Sequence, residues 1–158
     1  MKVASIAGLL LYASAACAQS GMLELLRQDI KTEKIELMTG SLPLTEKEAA
    51  AFWPIYRDYD HELSKLGDRR IALIKEVGEK YEHLDTKTAD RLVKESLGIA
   101  DARNALLRKY YTRVAKAVGT VTAARFLQIE SQMLTLLDAQ IADQVPLIKT
   151  KPVGEDKK

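Results

Sequence analysis

Apolar residues recur along this chain at intervals of three and four, which is the spacing of one face of an α-helix. The longest series of such positions lies between residues 45 and 85, and Arg70 is the one polar residue that occupies a position of this spacing. The apolar positions are Phe52, Tyr56, Tyr59, Leu63, Leu66, Leu73, Val77, Tyr81 and Leu84. No stretch alternates apolar and polar residues with the period of two that marks half-buried strands. The pattern therefore predicts an all-α fold.

Breaks in this pattern predict four helices. They occur at residues 40–43, 83–86 and 119–122 and at Pro146, where glycine, proline and capping residues interrupt the period. Gly40 is expected to end the first helix. The predicted helices run from about Met22 to Thr39, from Thr45 to about Leu84, from Asp85 or Thr86 to Val118, and from about Thr122 to Gln144.

The start of the second helix has a specific signal. Thr45 stands three residues before Glu48, the arrangement of a capping box, in which each side chain accepts a hydrogen bond from a backbone amide of the other residue. Pro54 falls inside the predicted helix, where it removes a backbone hydrogen bond and predicts a kink. A helix start at Pro54 is an alternative, because proline is favoured in a first turn.

The third and fourth helices each carry two neighbouring apolar stripes. In the third helix, one stripe has Val93, Leu97, Ala100, Leu107, Tyr111, Val114 and Val118, and the other has Leu92, Ile99, Leu106 and Tyr110. Such a wide face contacts more than one helix. We therefore expect four helices in long antiparallel hairpins, paired as an intertwined or side-by-side homodimer, although a closed four-helix monomer would use the same residues.

The first 18 residues have the pattern of a secretory signal peptide. Lys2 precedes an apolar run, and Ala16-Cys17-Ala18 is a cleavage site of the small-x-small type. We expect cleavage after Ala18 and a periplasmic location. Lipid anchoring at Cys17 is disfavoured, because Ser14 stands where a lipoprotein signal usually has a large aliphatic residue; a first helix of the domain is a further alternative.

The remainder divides into one domain and a tail. Residues 19–146 carry the helical pattern, and their length suffices for one domain with its own core. Residues 147–158 are polar and lack an apolar period, so we expect a disordered tail there.

The residue types after the predicted signal peptide argue against most catalytic and metal-binding chemistry. They include no cysteine and only two histidines, His61 and His83, and the chain has neither a glycine-rich phosphate loop nor a serine elbow. Carboxylates are expected on solvated helix faces, so His61 with Asp58 and Glu62 is at most a weak metal site. The net charge of +2 does not indicate nucleic-acid binding. We expect no enzyme, no catalytic residues, no metal and no cofactor.

Charge divides unevenly between the two central helices. Residues 43–85 hold seven basic and ten acidic residues, whereas residues 86–118 hold eight basic and three acidic residues. Mutual ion pairing is the simpler explanation. The functional alternative is a basic, partly apolar surface that suits flexible polypeptides; its candidate client-binding residues are Arg103, Leu107, Arg108, Tyr111, Arg113 and Lys116.

The helix starts resemble a known family. Leu44-Thr45-Glu46-Lys47-Glu48 resembles the Leu-Thr-x-x-Gln motif of the secreted Spy/CpxP superfamily, with glutamate in the last position, and Val121-Thr122-Ala123-Ala124-Arg125 is similar to a degraded second copy. The surrounding sequence is more similar to uncharacterised secreted relatives than to Spy itself.

That resemblance implies a function. It implies an antiparallel homodimer whose concave basic face binds unfolded or partly folded envelope proteins without ATP. The metal-binding branch of the superfamily uses clustered histidines that this chain lacks. The alternative is a regulatory partner that docks on the sensor domain of an envelope-stress or sigma-factor signalling system.

Overall fold

The computed structural model describes residues 32–149. Within these residues the regular structure consists of four α-helices and no strand, which confirms the predicted all-α class. The chain divides into two compact units with a boundary between Pro43 and Leu44. The predicted signal peptide, residues 1–18, lies outside the described residues.

The first unit contains the described part of helix α1, residues 32–41. The helix passes through Gly40, so the prediction that this glycine ends it is wrong. A glycine in a helix costs only about 1 kcal/mol relative to alanine, which does not suffice to stop a helix. The last turn closes where the Leu42 amide donates to the Met38 carbonyl at 3.0 Å.

Helix α2 (Glu46–Lys80) begins at the predicted capping box. The Glu48 amide donates to Thr45 Oγ1 at 3.3 Å, and the Thr45 amide donates to Glu48 Oε2 at 2.9 Å. Both contacts satisfy amides that have no partner within the helix. The capping box is therefore confirmed, and Leu44 is the residue that precedes it.

Helix α2 continues through Pro54, so the alternative start at this proline is wrong. The helix ends at Lys80, about four residues before the predicted end near Leu84. The His83 amide donates to the Lys80 carbonyl at 3.0 Å and closes a turn there. That turn leaves the chain extended at Asp85, the backbone conformation that the cap of the next helix requires.

Helix α3 (Thr86–Val118) has the predicted bounds. Asp85 caps its start, because Asp85 Oδ1 accepts from the Thr88 amide at 2.9 Å. Gly119 ends it with φ of +93° and ψ of +156°, a backbone conformation that residues with a Cβ atom rarely adopt.

Gly119 also begins helix α4 (Thr120–Gln144). Its amide donates to the Ala115 carbonyl at 3.1 Å, and its carbonyl accepts from the Ala123 amide at 3.0 Å. One residue therefore separates the two helices, and α4 begins two residues before the predicted start near Thr122. The glycine makes this possible because it changes the chain direction within a single residue.

Ion pairs join α2 to α3 in reversed chain order. Arg69 pairs with Glu95 at 2.9 Å, and seven residues nearer the α2 C-terminus Glu76 Oε1 contacts Arg91, which comes earlier in α3. Toward the N-terminus of α2, the partners lie progressively nearer the C-terminus of α3: Glu62 pairs with Lys109 at 2.7 Å, and Asp58 pairs with Arg113 at 2.9 Å. In three of these pairs an acidic residue of α2 meets a basic residue of α3, and such exposed ion pairs stabilise the fold only weakly.

Five aromatic residues form the core of the second unit where α2, α3 and α4 meet. Tyr59 lies centrally, 5.3 Å from the Tyr110 ring and 5.6 Å from the Phe126 ring between centroids. All five are buried: Phe52, Tyr56, Tyr59, Tyr110 and Phe126. The buried residues of α2 all belong to its first half, so its second half is packed less fully.

Lys149 lies in the segment for which we predict a disordered tail, and it contacts the turn after α2. The Lys149 amide donates to the Tyr81 carbonyl at 2.9 Å, and Lys149 Nζ donates to Glu82 Oε1 at 2.6 Å. These contacts tie the chain after α4 to the turn after α2. Residues 150–158 lie outside the described part.

We expect Thr45→Ala to lower the free energy of unfolding by about 1 kcal/mol, because the first-turn amides of α2 lose their cap. Thr135→Ala is the matched control, since Thr135 Oγ1 donates to the Ser131 carbonyl inside α4 and caps nothing. The measurement is urea unfolding followed by circular dichroism. Equal destabilisation by both variants would show that the capping box is not what stabilises this helix start.

Candidate functional site

A fully buried carboxylate connects α4 to α2. Tyr59 Oη donates to Glu130 Oε2 at 3.0 Å, and Tyr56 Oη donates to Glu130 Oε1 at 3.2 Å. Glu130 has no exposed surface, which corrects the expectation that the carboxylates lie on solvated faces. Burial, and then the neighbouring Glu130, raise the pKa values of Tyr56 and Tyr59 well above the ordinary value. Both tyrosines therefore remain protonated hydrogen-bond donors at any ordinary pH.

A second cluster surrounds Tyr110 on the side of the bundle formed by α2 and α3. Tyr110 Oη donates to Glu62 Oε1 at 2.8 Å, and the Arg113 guanidinium lies 4.8 Å from the centroid of its ring. Burial and the hydrogen bond to Glu62 raise the pKa of Tyr110 to about 12. Hydrogen bonds from Lys109 and Tyr110 lower the pKa of Glu62. Every group here has a protein partner, so the cluster is structural.

An apolar groove lies between the second half of α2, the first half of α3 and the second half of α4. Its cavity volume is about 380 Å³, within the roughly 300–1,000 Å³ of ligand sites. Its apolar lining consists of Leu73, Ile74, Val77, Leu92, Val93, Ile99, Ala100, Ile141, Ala142, Val145 and Ile148. We call this feature the groove.

The groove is open because some of its lining side chains are only partly covered. Val93 is 54% exposed and Ile148 is 42% exposed. Leu97, one turn beyond Val93 on α3, is 61% exposed, so an apolar strip continues from the groove onto the surface. Exposed apolar side chains that adjoin a concavity are typical of interaction sites rather than of solvated surface.

Three charged residues stand at one end of the groove. Arg103 Nη1 donates to Asp138 Oδ1 at 2.9 Å and its Nη2 lies 2.9 Å from Oδ2, while Arg70 Nη1 also donates to Oδ1. Partial burial acts to raise the pKa of Asp138, but the hydrogen bonds from Arg103 and Arg70 outweigh it and lower that pKa below its ordinary value. This set, which we call the charged triad, holds two positive charges against one negative charge.

The predicted client-binding residues do not lie on one face. Arg103 reaches Asp138 on α4, whereas Arg113 reaches Asp58 on α2. Both are therefore engaged in ion pairs between helices, which corrects the expectation of a single basic surface. The reason is the helical period, since ten residues leave the two side chains about 80° apart around the axis of α3, enough for them to reach different neighbouring helices.

The other four predicted residues divide by exposure. Leu107 and Tyr111 are half-buried, and Arg108 and Lys116 are exposed. Among residues 32–149, Arg108 and Lys116 have no ion-pair partner. These two cations are the part of the predicted basic surface that is available to a ligand.

Sequence reasoning missed Arg70 and Asp138 as site residues. Arg70 does carry a signal, because it is the one polar residue in the apolar run of α2. A charge at a core-facing position of a helix indicates a partner on a neighbouring helix. Nothing in the sequence distinguishes Asp138 from Asp143, an exposed carboxylate of the same helix.

The described residues offer little for metal chemistry. His61 and His83 are exposed, and no group of three or more histidine, cysteine or acidic side chains within residues 32–149 is placed to hold a metal ion. Asp58 and Glu62, the neighbours of His61 in the sequence, pair instead with Arg113 and Lys109 on α3.

No helix in the described part of the chain combines the length and the apolar character needed to cross a membrane. Comparisons with protein-family models, with curated proteins and with solved structures find no match to this chain.

We expect Tyr59→Phe to lower the free energy of unfolding by about 1.5–3 kcal/mol, because the buried Glu130 carboxylate loses a hydrogen bond from a neutral donor. Tyr111→Phe is the matched control, since the Tyr111 hydroxyl makes no hydrogen bond with the described residues; its change should stay within about 0.5 kcal/mol. Chemical denaturation of both variants measures the difference. A cost of Tyr59→Phe no larger than that of Tyr111→Phe would contradict a structural role for this hydrogen bond.

We expect acid to weaken the charged triad. A carboxyl whose pKa is lower in the folded state stabilises the fold above its unfolded pKa, about 3.9 for aspartate, and loses that effect as the pH falls through the folded pKa. The stability difference between wild type and Asp138→Asn should therefore be largest near neutral pH and shrink below pH about 4. Urea unfolding over this pH range measures the difference.

Asp101→Asn is the control for this pH series, because Asp101 is exposed and has no ion pair with the described residues. Its stability should follow the wild-type pH dependence throughout. A difference between wild type and Asp138→Asn that stays constant with pH would show that the ionised carboxylate does not contribute.

Proposed function

We propose that this protein is a periplasmic, ATP-independent chaperone of the Spy/CpxP-like type, which binds unfolded or partly folded envelope proteins. The observation that carries the proposal is the open apolar groove of about 380 Å³ with half-exposed aliphatic side chains at its rim. A site of this kind binds by covering apolar surface and needs no catalytic group.

The physical chemistry of the groove fits clients without a fixed structure. Unfolded chains expose aliphatic side chains, and covering Val93, Leu97 and Ile148 removes apolar area from water on both partners. Because these residues are already exposed, binding does not require the aromatic core to open. Each such contact contributes on the order of 1 kcal/mol, which gives binding that is broad and reversible.

The exposed cations support the same function. Arg108 and Lys116 have no ion-pair partner within the described residues and lie on the same helix as Val93 and Leu97. Exposed positive charge increases the encounter rate with acidic segments and orients them before apolar contacts form.

The location and assembly belong to the proposal as well. The signal-peptide pattern of residues 1–18 supports a periplasmic location. The reversed order of the ion pairs between α2 and α3 supports antiparallel hairpins. Leu136, exposed on α4 outside the groove lining, is available to a second copy in a homodimer.

We expect residues 19–158 to suppress aggregation of a reduced, unfolding client in the absence of ATP, as measured by light scattering. Val93→Gln combined with Ile148→Gln should raise the amount of protein needed for half-suppression about tenfold, since two apolar contacts are lost. Val121→Gln is the control, because Val121 is 85% exposed and does not line the groove. All three substituted side chains are exposed, so thermal unfolding should change little.

Absence of suppression at a several-fold molar excess of the wild-type protein would contradict the proposal. Equal activity of the groove variant and the Val121→Gln control would show that the groove is not the client-binding site. A pull-down from envelope extract dominated by one saturable membrane protein would instead favour the regulatory partner of an envelope-stress or sigma-factor system.

A further inference from the structure

The charged triad closes one end of the apolar groove. Arg70, Arg103 and Asp138 belong to three different helices, and each lies at the same end of the lining segment that its helix provides. Their side chains are 29%, 26% and 32% exposed, so solvent reaches all three. An apolar surface thus ends at a group of charges that is accessible from outside.

The triad has hydrogen-bonding capacity left. A guanidinium carries five N–H donors. Two nitrogens of Arg103 and one of Arg70 face Asp138, and no other partner of either arginine occurs among residues 32–149. With two positive charges and one carboxylate, the triad retains a net positive charge and donors for a second carboxylate.

The dimensions and openness of the groove favour a peptide over a lipid. Its lining on α3 extends from Leu92 to Arg103, about 16 Å at 1.5 Å per residue, which matches about five residues of extended chain. Enclosed ligand sites bury about 70–90% of a small ligand, whereas Val93 and Ile148 leave this groove half-open. A bound acyl chain would remain partly exposed to water there, but a polypeptide covers the open side with its own backbone and outer side chains.

We propose that the groove binds peptide segments in which several apolar residues are followed by an acidic residue, whose side-chain carboxylate pairs with Arg70 and Arg103 in competition with Asp138. This inference rests on the proposed function and specifies the class of client segment that the groove selects. Charge complementarity with the net positive triad is the argument for the acidic residue, and the apolar lining is the argument for the residues before it.

The competition with Asp138 gives the proposal a distinctive signature. Asp138→Asn removes the negative charge of the internal competitor, and a neutral amide holds the two guanidinium groups less strongly, so affinity for the acidic segment rises. Arg103→Gln removes half of the positive charge while Asp138 keeps Arg70 as its partner, so affinity falls. A merely structural role of the triad would make both variants bind less well.

The test uses two terminally blocked, fluorescently labelled peptides, acetyl-Ser-Leu-Val-Leu-Val-Glu-Ser-amide and the same sequence with glutamine for glutamate. Fluorescence anisotropy with the full mature chain should give about fivefold tighter binding of the glutamate peptide, from a charge-assisted hydrogen bond weakened by competition. Asp138→Asn should widen this ratio, Arg103→Gln should bring it close to one, and salt should reduce it. Arg125→Gln, an exposed arginine outside the groove lining, should leave it unchanged.

Separate outcomes overturn the inference and the proposed function. Equal affinity for the two peptides, or a glutamate preference that Arg103→Gln leaves intact, overturns the inference, while suppression of client aggregation in the same preparation keeps the proposed function. Loss of aggregation suppression together with peptide binding removes both.

Other occupants are distinguished by further arms of the experiment. A glutamine peptide with a free C-terminus that binds as tightly as the glutamate peptide would assign the site to chain termini. Displacement of the peptide by decanoate at lower concentration would assign it to fatty acids. Self-association in sedimentation that is abolished by Ile141→Gln and excludes the peptide would assign it to a second copy. Each of these results overturns the proposal as stated.

Discussion

The buried contact between Glu130 and the hydroxyl groups of Tyr56 and Tyr59 is the constraint on which the second unit depends. A carboxylate without exposed surface is costly unless hydrogen bonds replace its water. Tyr56 and Tyr59 lie three residues apart on one face of α2, so a single Glu130 carboxylate on α4 reaches both hydroxyl groups. The contact therefore sets the register of the two helices, and the aromatic rings of Phe52, Tyr59 and Phe126 pack around it.

That register also explains why the groove exists. In the half of the unit near Glu130, large aromatic rings fill the space between three helices. In the other half, aliphatic residues such as Val77, Ala100 and Ala142 take their place, and they do not fill an equal volume. The charged triad lies between these halves, where Arg70 and Arg103 hold α4 through Asp138. The groove is the part of the bundle beyond this bridge that the side chains leave uncovered.

Charge serves two different purposes in this unit. Ion pairs between α2 and α3, such as Glu62–Lys109 and Asp58–Arg113, neutralise part of the basic excess that α3 has in the sequence. Arg103 and Arg113, which sequence reasoning places in one binding surface, are directed to different neighbouring helices. The interaction capacity instead lies in the groove, at the triad and at the exposed cations Arg108 and Lys116.

The sequence by itself determined the helical class, the capping box at Thr45 and the break at Gly119, because each depends on residues within one turn of the chain. It also indicated Phe52, Tyr56 and Tyr59 as core residues, since their spacing follows the helical period. Only the tertiary structure decided that Glu130 is buried, that Asp138 binds two arginines, and that Arg103 and Arg113 contact different helices. These contacts join residues 35 to 74 positions apart, and a carboxylate on a helix has the same local sequence pattern whether it faces solvent or a tyrosine on another helix.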